Sequence, residues 1–320
     1  MMNELNKNWL IEKANYLRSL GKHEDSITIY DKLIELDPSD TVAITNKGIA
    51  LDDLKRYEEA IECYSRALSL EPNEADIYYN KGCSLNNLKK FQEAIECYEK
   101  TIELNPGDAA AFNNKGDILM ALEMNEKALD CFNEAIKLNP NYAQAFCNKA
   151  ICLHLMGKYR EAIDCYDTAI ELKPNYAIAF NNKGIIFAEL KKYEFALAAY
   201  DKAIKFDEKD ADAFVNKGNC LRCMGKYEEA MVCFEKGILL RPNDANIFNN
   251  KAICLDDMNK HEEAISAYDA SIRLDPRRAS TYCNKGISLN TIGKNMDAVI
   301  CFNKTIELEP INSSAFNNKG

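Results

Sequence analysis

Apolar residues recur along this chain at spacings of three and four, in short runs that stop and restart with a fixed period. In residues 75 to 108, Tyr78, Gly82, Leu85 and Leu88 mark one run. Phe91, Ala94, Ile95, Tyr98, Ile102 and Leu104 mark the next, which ends at Pro106. This spacing puts each set on one face of an amphipathic helix, and the short polar link Lys89-Lys90 predicts two helices packed back to back. We call them helix A and helix B. The tripeptide Asn-Lys-Gly or Asn-Lys-Ala sets the period: it begins at Asn46, Asn80, Asn114, Asn148, Asn182, Asn216, Asn250, Asn284 and Asn318, each 34 residues after the last.

With the glycine or alanine of that tripeptide placed eighth, full repeats begin at residues 7, 41, 75, 109, 143, 177, 211, 245 and 279. They cover 7–312, and a truncated tenth repeat occupies 313–320. No linker or low-complexity tract interrupts this frame, so the 320 residues read as one array and not as two globular domains. Gly21, Gly157, Gly225 and Gly293 fall at the turn from helix A to helix B, where a left-handed residue closes a helix at little steric cost. Acidic pairs such as Glu58-Glu59 and Glu228-Glu229 then open helix B at its positive end.

Small residues predict where the helices meet. Glycine inside a helix costs about 1 kcal/mol relative to alanine, yet the eighth position holds Gly48, Gly82, Gly116, Gly184, Gly218 and Gly286, with Ala14, Ala150 and Ala252 as the replacements. The twentieth position holds Ala60, Ala94, Ala128, Ala162, Ala196, Ala230, Ala264 and Ala298, so the two small columns are expected to face each other. Rings at the twenty-fourth position, Tyr64, Tyr98, Phe132, Tyr166, Tyr200, Phe234, Tyr268 and Phe302, are expected to fill the space towards neighbouring helices.

The 34-residue period, the aromatic at the fourth position, glycine at the eighth, alanine at the twentieth, an aromatic at the twenty-fourth and proline near the end together resemble the tetratricopeptide repeat family. The resemblance implies an all-α fold, a right-handed superhelical α-solenoid of antiparallel helix pairs with helix A lining a concave groove. Three departures stand out. Lysine occupies the seventh position where the family usually has leucine, so Lys47, Lys81 and their equivalents are expected to lay their methylenes on the helix contact and lift the charge into water. Glu208 replaces a proline and Gly237 an alanine, and looser packing is expected at both.

On the family's architecture the sixth position faces the groove. Asn46, Asn80, Asn114, Asn148, Asn182, Asn216, Asn250 and Asn284 would form a ladder there, each amide offering a donor and an acceptor suited to an extended peptide backbone. A similar ladder belongs to the superhelical arm of O-linked N-acetylglucosamine transferases, which this array resembles. The alternative is that these amides only join neighbouring helices. Asp52 and Asp53 lie near one end of the groove, Asp256 and Asp257 near the other, and Met120, Ala121, Leu155 and Ala188 between, so a segment with basic flanks and an apolar middle would be complementary. The family members that clamp chaperone C-terminal tails grip the carboxylate with Lys and Asn on one helix A, Asn on the next, and Lys plus Arg on the third, whereas the sixth position here is never basic. Here Asp76, Ala110, Gln144, Ile178, Asp212, Asn246 and Ser280 stand second, so such tails are disfavoured. On helix B, Ala198, Val232, Ser266 and Ile300, with Phe195 nearby, would form an outer apolar ridge.

Composition narrows the partner. Apolar residues make up 47% and charged residues 28%, enough to build a core and a solvated surface, and the formal net charge of -10 argues against nucleic acid or an anionic membrane. Proteins with neutral or basic segments fit better. Thirteen cysteines, odd in number and set within helical patterns, read as reduced thiols in a cytosolic protein. Cys220 and Cys223 have ligand-like spacing, but no second pair joins them and His23, His154 and His261 fall in distant repeats, so no metal and no cofactor is expected. No nucleophile elbow, phosphate loop or dinucleotide turn occurs, and acidic residues at helix starts are expected to pair locally, Glu62 with Arg66 and Glu96 with Lys100. The reading is a non-enzymatic scaffold. Its alternative is the recognition arm of a larger enzyme such as a glycosyltransferase, because residues 313–320 begin a helix A with no helix B to cover it. An end left open in that way is also expected to invite a partner or self-association.

Overall fold

The computed structural model describes residues 4–310, so the truncated tenth repeat lies outside the described residues. Among the described residues eighteen α-helices form nine A–B pairs, from Glu4–Ser19 with His23–Leu36 to Ala279–Thr291 with Asn295–Leu308, and no strand occurs. The chain is an all-α helical repeat array. Three residues link A to B, as 54–56 do, and four link B to the next A, as 71–74 do. Links this short force consecutive helices to lie antiparallel.

The packing divides into two compact units, the first ending at Leu172 and the second beginning at Lys173. Within each unit helix A packs on its own helix B, helix B packs on the next helix A, and successive A helices also touch. Among the described residues no helix B touches another helix B. Helices that meet on one side and part on the other make a stack curve, so in each unit the A helices line the inner wall and the B helices the outer one.

Every A-to-B turn is closed by a left-handed residue, and only four are glycine. Gly21, Gly157, Gly225 and Gly293 have φ of 75°, 74°, 75° and 78°, while Lys55, Lys89, Glu123, Lys191 and Asn259 hold φ between 57° and 60°. The hydrogen bonds explain why the turn persists without glycine. The Lys55 N–H donates to Asp52 O at 2.8 Å and the Arg56 N–H to Leu51 O at 2.9 Å, which satisfies two carbonyls at the end of helix A. The same pair of bonds recurs at Lys89 and Lys90 and at Lys191 and Lys192.

The eighth-position glycine is a seat for the ring sixteen residues later, rather than a partner of the alanine column. A Cβ built on Gly48, Gly116, Gly184 or Gly286 would stand 2.7, 2.7, 2.6 or 2.5 Å from the Cε1 of Tyr64, Phe132, Tyr200 or Phe302. The rings therefore lie within their own repeat, flat against helix A, and are 0–2% exposed. The alanine column is equally buried, at 0–1%. It lets helix B approach closely enough for the ring to reach its seat.

Several local expectations give way to inter-repeat contacts. The seventh-position lysines do not simply rise into water: Lys47, Lys115, Lys217 and Lys251 pair with Asp31, Glu99, Asp201 and Glu235 on the preceding helix B at 2.6, 2.7, 2.6 and 3.3 Å. Such half-exposed pairs contribute about 0–1 kcal/mol each, so they fix register more than they add stability. Arg66 donates to Pro38 O at 2.6 Å in place of the expected Glu62 pair, and Lys100 pairs with Glu103 in place of Glu96. Neither departure near Glu208 or Gly237 loosens the array. Asp207 accepts from the Lys209 N–H at 3.0 Å, Asp210 caps the next helix, and Gly237 sits in a regular helix Tyr227–Leu240. A Cβ there would meet Val215 Cγ2 at 3.1 Å, so the glycine makes room for a branched neighbour.

Candidate functional site: the inner wall of helix A

All eight sixth-position asparagines are half-buried on helix A. Three are held by the preceding repeat. Asn114 Nδ2 donates to Tyr79 Oη at 3.1 Å, Asn148 Nδ2 to Asn113 Oδ1 at 3.1 Å, and Asn216 Nδ2 to Asn181 Oδ1 at 3.1 Å. The acceptor is always the fifth residue of the repeat before. Where that residue offers no free acceptor the bond is missing: Ile11 precedes Asn46, Val215 precedes Asn250, and Asn249 Oδ1 already accepts from Thr281 at 3.3 Å beside Asn284. Asn80 also makes no such bond, and the Thr45 hydroxyl one repeat back is buried without a partner. In the second unit Asn182 lines an open hollow with Asn181, Asp210 and Arg241.

Three of these amides thus join neighbouring helices, which is one of the two readings the sequence offered. One N–H of Asn148 and Asn216 ties two helices together, which fixes the amide's orientation. The second N–H and the Oδ1 have no protein partner among the described residues and remain available at the wall.

Four aspartates late in helix A are built into the walls of their own units, Asp52 and Asp53 in the first and Asp256 and Asp257 in the second. Asp52 accepts from Tyr64 Oη at 2.7 Å and from Ser84 Oγ of the next repeat at 2.7 Å. Burial raises its pKa above the usual carboxylate range, against the lowering effect of the two hydroxyls. Asp256 repeats the arrangement with Tyr268 Oη at 2.8 Å and Ser288 Oγ at 2.6 Å, and adds His261 Nδ1 at 2.9 Å. Asp53 faces Arg18 at 3.7 Å and His23 at 3.4 Å, and Asp257 pairs with Arg222 at 2.7 Å. All four are therefore engaged within the protein, Asp53 and Asp257 by arginines and Asp52 and Asp256 by hydroxyls.

Sequence reading by single positions missed this. Aspartate stands twelfth only at Asp52 and Asp256, and serine stands tenth only at Ser84 and Ser288, each in the following repeat. Arginine stands twelfth only at Arg18 and Arg222, one repeat before the only thirteenth-position aspartates, Asp53 and Asp257. Co-occurrence across adjacent repeats was the available signal.

The first unit also presents Tyr79, Cys83 and Asn114 together, with Tyr98 Oη donating to Cys83 Sγ at 3.4 Å. Burial raises the Cys83 thiol and pushes Cys97, Cys220 and Cys254 up to about 11, which makes them poor nucleophiles near neutral pH. All thirteen cysteines are free thiols. Cys220 is buried and Cys223 exposed, and among the described residues no group of three or more His, Cys, Asp or Glu is placed to hold a metal ion. No described helix is long and apolar enough to cross a membrane. On helix B, Phe195, Val232 and Ile300 are 63–66% exposed.

Curved stacks of antiparallel helix pairs with an inner wall of A helices define a helical-repeat protein. The tetratricopeptide repeat family matches residues 10–40, 42–74, 75–108, 109–142, 143–176, 177–210, 211–244 and 245–278, and the chain belongs to that family. No curated protein matches it. Among solved structures, the APC/C hetero-tetramer Cut9-Hcn1 is similar over 93% of this chain at 16% identity and a TM-score of 0.64, and this chain spans 59% of that one. A tetratricopeptide repeat protein from Parabacteroides merdae is similar over 77% of this chain and 97% of its own, at 18% identity and a TM-score of 0.61. Pseudomonas aeruginosa pilF is similar over 65% and 95%, at 20% identity and a TM-score of 0.58. At these identities the likeness is one of fold. Repeats of this family typically mediate protein–protein interaction and are generally non-catalytic.

Proposed function

We propose that the chain is a scaffold whose helix A walls bind extended segments of other proteins. The observation that carries this reading is the oriented asparagine ladder. Asn148 and Asn216 spend one N–H on the neighbouring helix and keep a second N–H and a carbonyl for a guest, matching the donor and acceptor that each peptide unit presents. Fixing these amides beforehand lowers the entropy lost on binding. Asp52 and Asp53 in the first unit, and Asp256 and Asp257 in the second, are each engaged by neighbouring side chains, so the preference for basic flanks that their charge alone would give is muted. The thirteen free thiols support a reducing, cytosolic location.

The test is an affinity capture comparing wild type with Asn148→Ala and Asn216→Ala combined, with far-UV circular dichroism on both. Loss of captured proteins with helicity retained supports the reading. An unchanged set of partners would sink it. Since these amides also join helices, Asn113→Ala serves as a control that removes an inter-repeat acceptor and leaves Asn148 in place.

A further inference from the structure

One carboxylate on the inner wall of the first unit has no partner. The ninth position of helix A holds Asn15, Ile49, Cys83, Asp117, Ile151, Ile185, Asn219, Ile253 and Ile287 in successive repeats, so Asp117 is the single charge in a mostly apolar column. It lies on helix A Ala109–Ala121, whose neighbours on the wall are the A helices before and after it. Asp117 is exposed to solvent, and it makes no hydrogen bond or ion pair with any described residue. The aspartates at the twelfth and thirteenth positions, Asp52, Asp53, Asp256 and Asp257, are all engaged. The surrounding atoms of the concave wall nevertheless raise its carboxyl pKa, burial being the cause. An unpaired carboxylate whose ionised form is disfavoured by its surroundings is stabilised by an incoming cation.

The register of the repeat places this group among the amides that would hold a guest backbone. Asn114 is three residues before Asp117 and Met120 three after, so all three share one face of the helix. One repeat earlier, the ninth-position Cys83 lies 3.8 Å from Asn114 Nδ2, which shows that the ninth residue stands beside the sixth-position amide of the next repeat. For Asp117 that amide is Asn148.

We propose that Asp117 is a specificity-determining residue that receives an arginine or lysine side chain of an extended peptide lying along the first unit's wall. The inference rests on the groove reading above. The cation's aliphatic stem would pack on Met120 while its head reaches the carboxylate, and arginine can bond both oxygens at once.

The experiment selects a displayed library of random heptapeptides against the full chain and titrates the enriched peptides, fluorescently labelled, against variants. Wild type should enrich a basic residue at one fixed position. Asp117→Asn should weaken those peptides roughly ten-fold, the size of one charge-assisted hydrogen bond. Asp117→Lys should invert the selection towards Glu or Asp at the same position. Asp130→Asn on the outer helix B should change nothing. Melting of Asp117→Asn should stay level or rise, because no internal partner is lost. Enriched peptides without a basic position, binding to Asp117→Asn within two-fold of wild type, or a lowered melting temperature for that variant would each overturn the proposal while leaving the groove reading intact. A library that yields no binder to the inner wall would overturn both.

Discussion

Replacing Gly116 by alanine sets helix propensity against the ring seat. In a free helix interior the change would add about 1 kcal/mol of stability. Here the new methyl carbon would stand 2.7 Å from Phe132 Cε1, 3.0 Å from Cδ1 and 3.1 Å from Cζ. Carbon atoms prefer about 3.5–4.0 Å, so ring or backbone has to retreat by roughly half an ångström or more. Phe132 is fully buried and cannot swing into solvent. Overpacking of this kind costs about 1–3 kcal/mol, which leaves Gly116→Ala destabilising by about 0–2 kcal/mol after the propensity gain. The next repeat carries Ala150 with Tyr166, both 0% exposed, so there ring and methyl have settled together. The reverse change, Ala150→Gly, should therefore also destabilise, by about 1–2 kcal/mol from lost propensity and one lost methyl contact. Repeats couple to their neighbours and do not unfold as one unit, so the assay is amide hydrogen exchange over residues 109–138 and 143–172. A Gly116→Ala protein whose helix A gains the full 1 kcal/mol of protection would refute the seat.

Other consequences are as direct. Lys89→Gly and Glu123→Gly should each raise the melting temperature, by up to about 1 kcal/mol of stability, because both residues hold a left-handed conformation that glycine adopts without strain. Tyr268→Phe should destabilise the eighth repeat by about 1.5–3 kcal/mol, since it withdraws a hydroxyl from the Asp256 carboxylate; protection factors for residues 245–274 report it. Asp52 has a raised pKa in the folded protein, so the native state binds its proton more tightly than the unfolded chain does. Stability from this group should therefore fall as pH rises from the ordinary value of 3.8 through the folded pKa, and Asp52→Asn should flatten that part of the profile. A carbon-detected titration of the Asp52 carboxyl with a midpoint at or below 3.8 contradicts the sign.

The array itself was legible because each of its determinants is local and repeated. Spacings of three and four marked the helices, and a small residue at the eighth position marked a close approach. The partner in that approach was not legible, since Gly116 faces Phe132 through a helix geometry that no spacing along one strand of sequence reveals. The left-handed turn was visible at Gly21 and its three counterparts but hidden at Lys55 and Lys89, where their own bonds to Asp52 and Asn86, and those of Arg56 and Lys90 to Leu51 and Leu85, impose a conformation that the side chain disfavours. Charges proved hardest to read. Asp53 and Asp257 looked like free groove residues because their partners, Arg18 and Arg222, lie one repeat away. Asp117 attracted no notice because an exposed aspartate is ordinary until its lack of a partner is known.

The most direct measurement of whether the inner wall is where partners bind is a photo-crosslinking scan. Benzoylphenylalanine would be placed singly at Ala121 and Leu155 on helix A, and at Asp130 and Val232 on helix B. The inner-wall reading predicts crosslinked partner proteins from the helix A sites and none above background from the helix B sites. Crosslinks arising from Asp130 or Val232 alone would place the partner on the outer surface and contradict it.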